Sequence, residues 1–149
     1  MQATSPNPSP PSHPGAPRED PRHALGRLGE QLAAAHLERL GCAILARNVR
    51  TRHGEIDLIA FDGHTKALVF VEVKTRRVRS CAGRVRPEQE PLPWLRPRQR
   101  ARLRRLALAW LCETSGERPS GGSIRFDAVG VIVDGAWRLL HLDHVEGAW

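Results

Sequence analysis

Apolar positions along this chain change their period several times, and each change marks an element. Leu25, Leu28, Leu32 and Ala35 recur at helical spacing between Asp20-Pro21, an N-terminal signal, and Gly41, a stop, which predicts a first helix over about 23–40. A strand from Ala43 to Arg50 follows, with Thr51 to His53 as its connection. Two apolar runs come next, Gly54 to Ala60 and Leu68 to Lys74, and the turn-rich stretch between them contains Asp62-Gly63, so they predict an antiparallel hairpin. Beyond Thr75-Arg76-Arg77 lies a long segment rich in Arg, Gly and Pro, of the kind that carries binding functions beside a scaffold. Pro97 opens a second helix to Glu113. Its apolar face is Leu103, Leu106, Ala107, Trp110 and Leu111, and Arg98, Arg102 and Arg105 line the other side. A last hairpin pairs Ser123–Val133 with 136–142 through Asp134-Gly135, a favoured type I′ step. The order is helix, three strands, helix, two strands: an α/β domain.

The two middle strands carry charges that a buried strand ordinarily lacks. Glu55 and Asp57 interrupt the first run, and Glu72 and Lys74 the second. A charge in a low-dielectric core costs several kcal/mol unless it is paired or bound to metal. By strict alternation Glu55, Asp57 and Ile59 share a face, with Ile56, Leu58 and Ala60 behind; Leu68, Phe70, Glu72 and Lys74 share another, with Val69, Val71 and Val73 behind. Asp57 then falls opposite or diagonal to Glu72. Two carboxylates offer the hard oxygens that Mg2+ or Mn2+ prefers. A lysine beside them can hold an attacking water or a phosphoryl oxygen, which is a phosphodiesterase layout. The competing account is a Glu72–Lys74 or Asp57–Lys74 ion pair on a solvated sheet face.

Composition sharpens this. The chain has 21 arginines and two lysines, Lys66 and Lys74, so a lysine in the Glu-x-Lys position stands out. Net charge is +7, yet residues 73–112 alone hold twelve basic residues against Glu88 and Glu90, a local +10 that leaves −3 for the rest. That asymmetry suits a phosphate-backbone binder, with Arg76, Arg77, Arg98, Arg102 and Arg105 as contacts; solvated arginines are the plainer alternative. On the first helix Glu30 shares a stripe with Gly26, Ala33 and Leu37, so it either snorkels or aims at a site, and Gly26 and Gly29 would let another element approach closely. Cys42, Cys81 and Cys112 fit neither a disulfide framework nor a zinc spacing. No signal peptide or membrane span is legible, and a cytoplasmic location is expected. Residues 1–21, which hold most of the twelve prolines, read as a disordered tail, 22–143 as the domain and 144–149 as a C-terminal tail. Arg125 and Asp127 read as a structural pair, His141 and His144 as residues on a fraying strand, His53 as a minor candidate for the site, and Trp94, Trp110 and Phe126 as core.

Taken together, Gly26-x-x-Gly29-Glu30, Glu55-Ile56-Asp57 and Glu72-Val73-Lys74-Thr75-Arg76 resemble the YraN family of uncharacterised bacterial proteins over about 23–142. That family is similar to the restriction-endonuclease-like superfamily and its Holliday-junction resolvases. The resemblance implies a central mixed sheet flanked by two helices. It also implies metal ligation by Asp57, Glu72 and the Val73 carbonyl, with Glu30 as an outer ligand, Lys74 as the water and phosphate partner, and Glu55 as an auxiliary acid. The expected function is Mg2+- or Mn2+-dependent DNA cleavage, on branched DNA in the resolvase manner and then as a homodimer; a catalytically silent nucleic-acid-binding protein on the same fold is the alternative. Two departures stand out: Ile56 rather than Pro precedes Asp57, and Gln99 occupies a position where such chains often carry Lys.

Overall fold

The computed structural model describes residues 20–78, 96–114 and 122–149. The expected tail therefore lies outside the described residues except for its last two positions, as do the long segment's middle, Cys81 and Trp94. Helix α1 (Pro21–Arg39) starts at Asp20, whose carboxylate accepts the Arg22 N–H at 2.9 Å. It ends ahead of Gly41, whose φ of 87° favours glycine. Strands β1 (Cys42–Thr51), β2 (Gly54–Asp62) and β3 (Ala67–Arg77) form an antiparallel meander. Helix α2 (Pro97–Glu113) then leads to β4 (Ser123–Val133), which pairs parallel to β3, and β5 (Leu139–Val145) closes the sheet antiparallel to β4. The sheet order is β1-β2-β3-β4-β5, and the α/β architecture with a mixed sheet and two helices agrees with the expectation.

Each helix covers one face. Ala33, Ala34 and Leu37 of α1 pack with Leu58, Ala60, Val69, Val71, Val129 and Val131; Leu103, Leu106 and Ala107 of α2 pack with Ile56, Ile59, Leu68 and Phe70. Central β3 is buried on both sides, which explains its nearly unbroken apolar run. Each fully buried Leu, Val or Phe in these layers contributes about 1.5–3 kcal/mol relative to exposure. The helical stripe is corrected in one respect: Ala35 is exposed, and the buried line is Gly29, Ala33 and Leu37, the line that flanks Glu30.

Strict alternation fails on both β1 and β2, and the β1–β2 register shifts between Ile44 and Ala46. Ile56 and Ile59 both join the α2-side core while Leu58 and Ala60 face α1, so Ile59 does not share a face with Glu55 and Asp57. On β1, Ala46 and Val49 likewise both pack on the α2 side. The register stays constant across this slip, Ala46↔Ile59 through Val49↔Ile56, which places Asn48 across from Asp57. Asn48 has a φ of 50°, a left-handed conformation that Asn tolerates better than most residues.

Two expectations near the C-terminus also change. Asp134 Oδ1 accepts the N–H groups of Ala136 (2.8 Å) and Arg138 (2.9 Å), which closes a wider loop in place of a two-residue turn and starts β5 at Leu139 rather than at 136. Residues 144–149 are part of the folded body. Gly147 N–H donates to Asp127 Oδ1 at 3.0 Å and Ala148 N–H to the Phe126 carbonyl at 2.8 Å. Trp149 stacks on Phe126, itself stacked on Phe70, so an aromatic row draws the last residue in. Among the described residues no helix is long and apolar enough to cross a membrane.

Candidate functional site

A cleft of about 550 Å3 opens where β2 and β3 part. Their ladder runs from Asp62↔Ala67 to Leu58↔Val71, and the next step would set Asp57 against Glu72. Asp57 answers with its side chain: the Val73 N–H donates to Oδ2 at 2.7 Å. β3 stays paired to β4 along its whole length, so the split belongs to β2. Glu30, Glu55, Asp57, Glu72 and Lys74 all line the opening, with Arg102 of α2 on its rim.

Close packing brings α1 to this place. A Cβ on Gly29 would lie 1.7 Å from Thr75 Oγ1, so only glycine lets the helix rest on β3 there. The neighbouring Glu30 then overhangs the cleft. Gly26 has a different role from the one its spacing suggests, because a Cβ there would meet nothing within 4 Å.

The electrostatics are dominated by carboxylates. Burial, followed by the charge of Glu72, pushes Asp57 up to about 7, against the lowering effects of the Val73 N–H and Lys74; Glu30 adds to the rise. Burial also raises Glu30, with Glu55 adding to the rise and a hydrogen bond from the Asn48 side chain and the nearby Arg27 opposing it. Glu72 is 8% exposed, and Lys74 Nζ donates to its Oε1. Asp57 Oδ1 and Glu72 Oε2 accept no bond from the described residues.

Among the described residues no three His, Cys, Asp or Glu side chains converge closely enough to hold a metal by themselves. The donor set at the cleft is thus two carboxylates and the backbone at Val73. That set fits a hard cation that keeps several waters, as Mg2+ does, and does not fit a zinc cage.

The arginine stripe of α2 divides. Arg102 lies over Gly54, where a Cβ would sit 2.5 Å from Nη2 and the φ of 132° itself calls for glycine; its guanidinium thereby reaches the cleft. Arg105 lines a separate hollow with Arg52 and His53, so His53 is not part of the site, and Arg98 is exposed in the first turn. Arg76 is half-buried at the end of β3, while Arg77 lies over the Trp137 ring at 5.8 Å. Gln99, at the departure from the family pattern, caps α2: its Oε1 accepts the Arg96 N–H at 3.1 Å. Sequence reasoning missed Asn48, whose only signal was an Asn inside a strand.

A second charged cluster occupies the far end of the α1 face. Arg125 Nε donates to Asp127 at 3.0 Å and its Nη1 to Asp62 at 2.9 Å. His144 Nε2 lies 3.1 Å from Asp127, and its Nδ1 3.2 Å from His36 Nε2. The Arg125–Asp127 pair agrees with expectation. His144 does not sit on a fraying end: its side chain is 7% exposed, because Asp127 and His36 hold it from two sides.

Comparison with known proteins agrees with the motifs. The profile of the uncharacterised protein family UPF0102 matches residues 29–131, a span that includes Glu30, Asp57, Glu72, Lys74 and Arg102. A UPF0102 protein of Acidothermus cellulolyticus is 48% identical over 118 residues, 74% of this chain and 83% of the relative. One from Mycobacterium avium is 43% identical over 127 residues, 85% and 90% of the two chains. One from Streptomyces griseus is 47% identical over 112 residues, 75% and 85%.

Proposed function

The chain belongs to the UPF0102 family, the YraN group its motifs resemble, and on that footing we propose that it is a Mg2+- or Mn2+-dependent endonuclease hydrolysing phosphodiester bonds in DNA. One observation carries the reading: a carboxyl raised to about 7, fixed by a backbone N–H at the mouth of a cleft and facing a second, buried carboxylate. Such crowding is costly unless a cation relieves it. Asp57, Glu72 and the Val73 carbonyl would hold the ion, with Glu30 as an outer ligand from α1 and Glu55 as an auxiliary acid. The ion would supply an activated water and neutralise phosphoryl oxygens. Lys74 lies at the same opening, placed to orient the attacking water or to donate to a phosphoryl oxygen. Arg102 meets the phosphate from the α2 wall, and Arg76, Arg77, Arg98 and Arg105 are outlying backbone contacts. A branched or flapped substrate follows the resolvase resemblance, and a two-fold junction would require a homodimer.

The Lys74–Glu72 bond favours a second reading, a nucleic-acid-binding protein that cuts nothing, since it occupies a ligand oxygen. Labelled linear, flapped and four-way DNA incubated with Mg2+ separates the two. Cutting by the wild type that Lys74→Ala abolishes supports the nuclease; equal background cutting by both refutes it. Mg2+ or Mn2+ should raise the Tm of the wild type but not of Asp57→Asn/Glu72→Gln.

A further inference from the structure

The cleft does not end at the carboxylates. A second hollow of about 460 Å3 continues it between α1 and β1, and Arg22, Gly26, Glu30 and Glu55 line both, so the two form one groove. Beyond the shared residues it gains His23, Arg27, Asn48 and Arg50. Three arginines therefore border this half, from two elements, and none lies in the +10 segment. The guanidinium of Arg22 pairs with no carboxylate among the described residues. Arg50 stands 4.0 Å from Glu55 with its side chain 89% exposed, a loose pairing that leaves the head free to turn.

Gly26 is the independent observation. Glycine is the weakest ordinary helix former, and among the described residues no neighbour requires it, since a Cβ would project into open space at the junction of the two hollows. The missing side chain leaves an open lane across the helix surface there.

We propose that the α1–β1 groove is a second backbone track: it receives the phosphodiester strand flanking the phosphate in the cleft, with Gly26 as the gap it crosses and Arg22, Arg27 and Arg50 as its phosphate partners. The inference rests on the nucleic-acid reading above and deepens it, because it gives the substrate two anchored sides, Arg102 on the α2 wall and these arginines on the α1 side. Glu30 and Glu55 line the same passage, which keeps the strand's phosphates at the arginine edge and away from the carboxylate floor.

The test uses the full chain in EDTA, so that no cutting intervenes, with fluorescein-labelled duplex and single-stranded DNA titrated by anisotropy at several salt concentrations. Arg22→Gln/Arg27→Gln/Arg50→Gln should weaken binding about tenfold or more and flatten the log K against log salt slope by about two units, at ~0.7–0.9 for each phosphate no longer neutralised. Gly26→Leu, which changes no charge, should weaken binding to a similar extent. Arg22→Lys/Arg27→Lys/Arg50→Lys should restore the slope. Wild-type affinity and slope in both the Gln triple variant and Gly26→Leu would overturn the track, as would a Lys variant that binds no better than the Gln one. Failure of the nuclease reading is distinct: the wild type would then bind with the same slope yet show neither Mg2+-dependent cutting nor a Mg2+ shift in Tm.

Discussion

Two groups of acids sit on one sheet, and Asp57 of one and Asp127 of the other are shifted in opposite directions. Asp127 is 0% exposed; burial alone would raise it, but bonds from His144 and Arg125 and the Gly147 N–H hold it below the usual carboxylate range. Asp62 beside it, also opposed by burial, is drawn down to about 2 by Thr65, His64 and Arg125. Asp57 receives one N–H and faces two other acids, and it rises to about 7. What separates the groups is the supply of donors, not depth. The Asp127 group is complete: His144 Nε2 lies within hydrogen-bond distance of the Asp127 carboxylate, and His144 Nδ1 lies 3.2 Å from His36 Nε2. Burial, with help from His144 and Arg39, lowers His36. The Asp57 group has fewer donors, the Val73 N–H on Asp57 and the Lys74 ammonium on Glu72.

The strongest way to break this contrast is to remove one acid from each group. Asp127→Ala should cost about 3 kcal/mol, seen as a large fall in the urea midpoint, by removing the acceptor shared by Arg125, His144 and the Gly147 N–H, although Arg125 keeps Asp62. Asp57→Asn, in EDTA at pH 7.5, should hold or raise that midpoint; equal losses would dissolve the distinction. A smaller effect attaches to how the cleft is assembled. Gly29→Ala should cost about 1–3 kcal/mol by driving α1 off Thr75, and should also reduce the Mg2+-induced rise in Tm because Glu30 moves with the helix.

The pH response should be smaller again, since Asp57 is only partly screened from solvent. An acid raised from 3.8 to about 7 on folding contributes stability that is complete below pH 3.8 and lost as pH climbs through about 7. Asp62, lowered to about 2, acts in reverse, and its contribution is lost as pH falls from about 4 toward 2. Metal-free protein should therefore weaken from pH 4 to 7 by an amount that Asp57→Asn removes, and Mg2+ should stabilise the wild type more at pH 7.5 than at pH 5. Smallest is Gly26→Ala, expected to gain up to about 1 kcal/mol in thermal unfolding because the position is open.

Asp57, Glu72 and Lys74 were legible because charge inside an apolar run is an anomaly that any alternation template exposes. Pro97 and Asp20-Pro21 marked the helices for the same local reason. The face assignment of Ile59 failed because a period-2 template assumes an unbroken pleat, and the break coincides with the left-handed backbone of Asn48 on the paired strand. The arginine stripe of α2 was visible as a stripe, but which member reaches the cleft depends on Gly54, far off in sequence. His144 and Trp149 acquired partners from α1 and β4 that no local pattern announces.

The one parallel strand pair among the described residues, β3 with β4, has a consequence for how the molecule is made. Every other strand pair is a local hairpin, whereas this one waits for the chain to travel through α2 and return. Glu30, Glu55, Asp57, Glu72 and Lys74 all lie ahead of that point, so during synthesis they emerge together while β3 still presents a bare apolar edge from Ala67 to Val73. Nascent chains stalled before β4 should be the aggregation-prone species, and chaperone capture should fall sharply once residue 133 has cleared the ribosome.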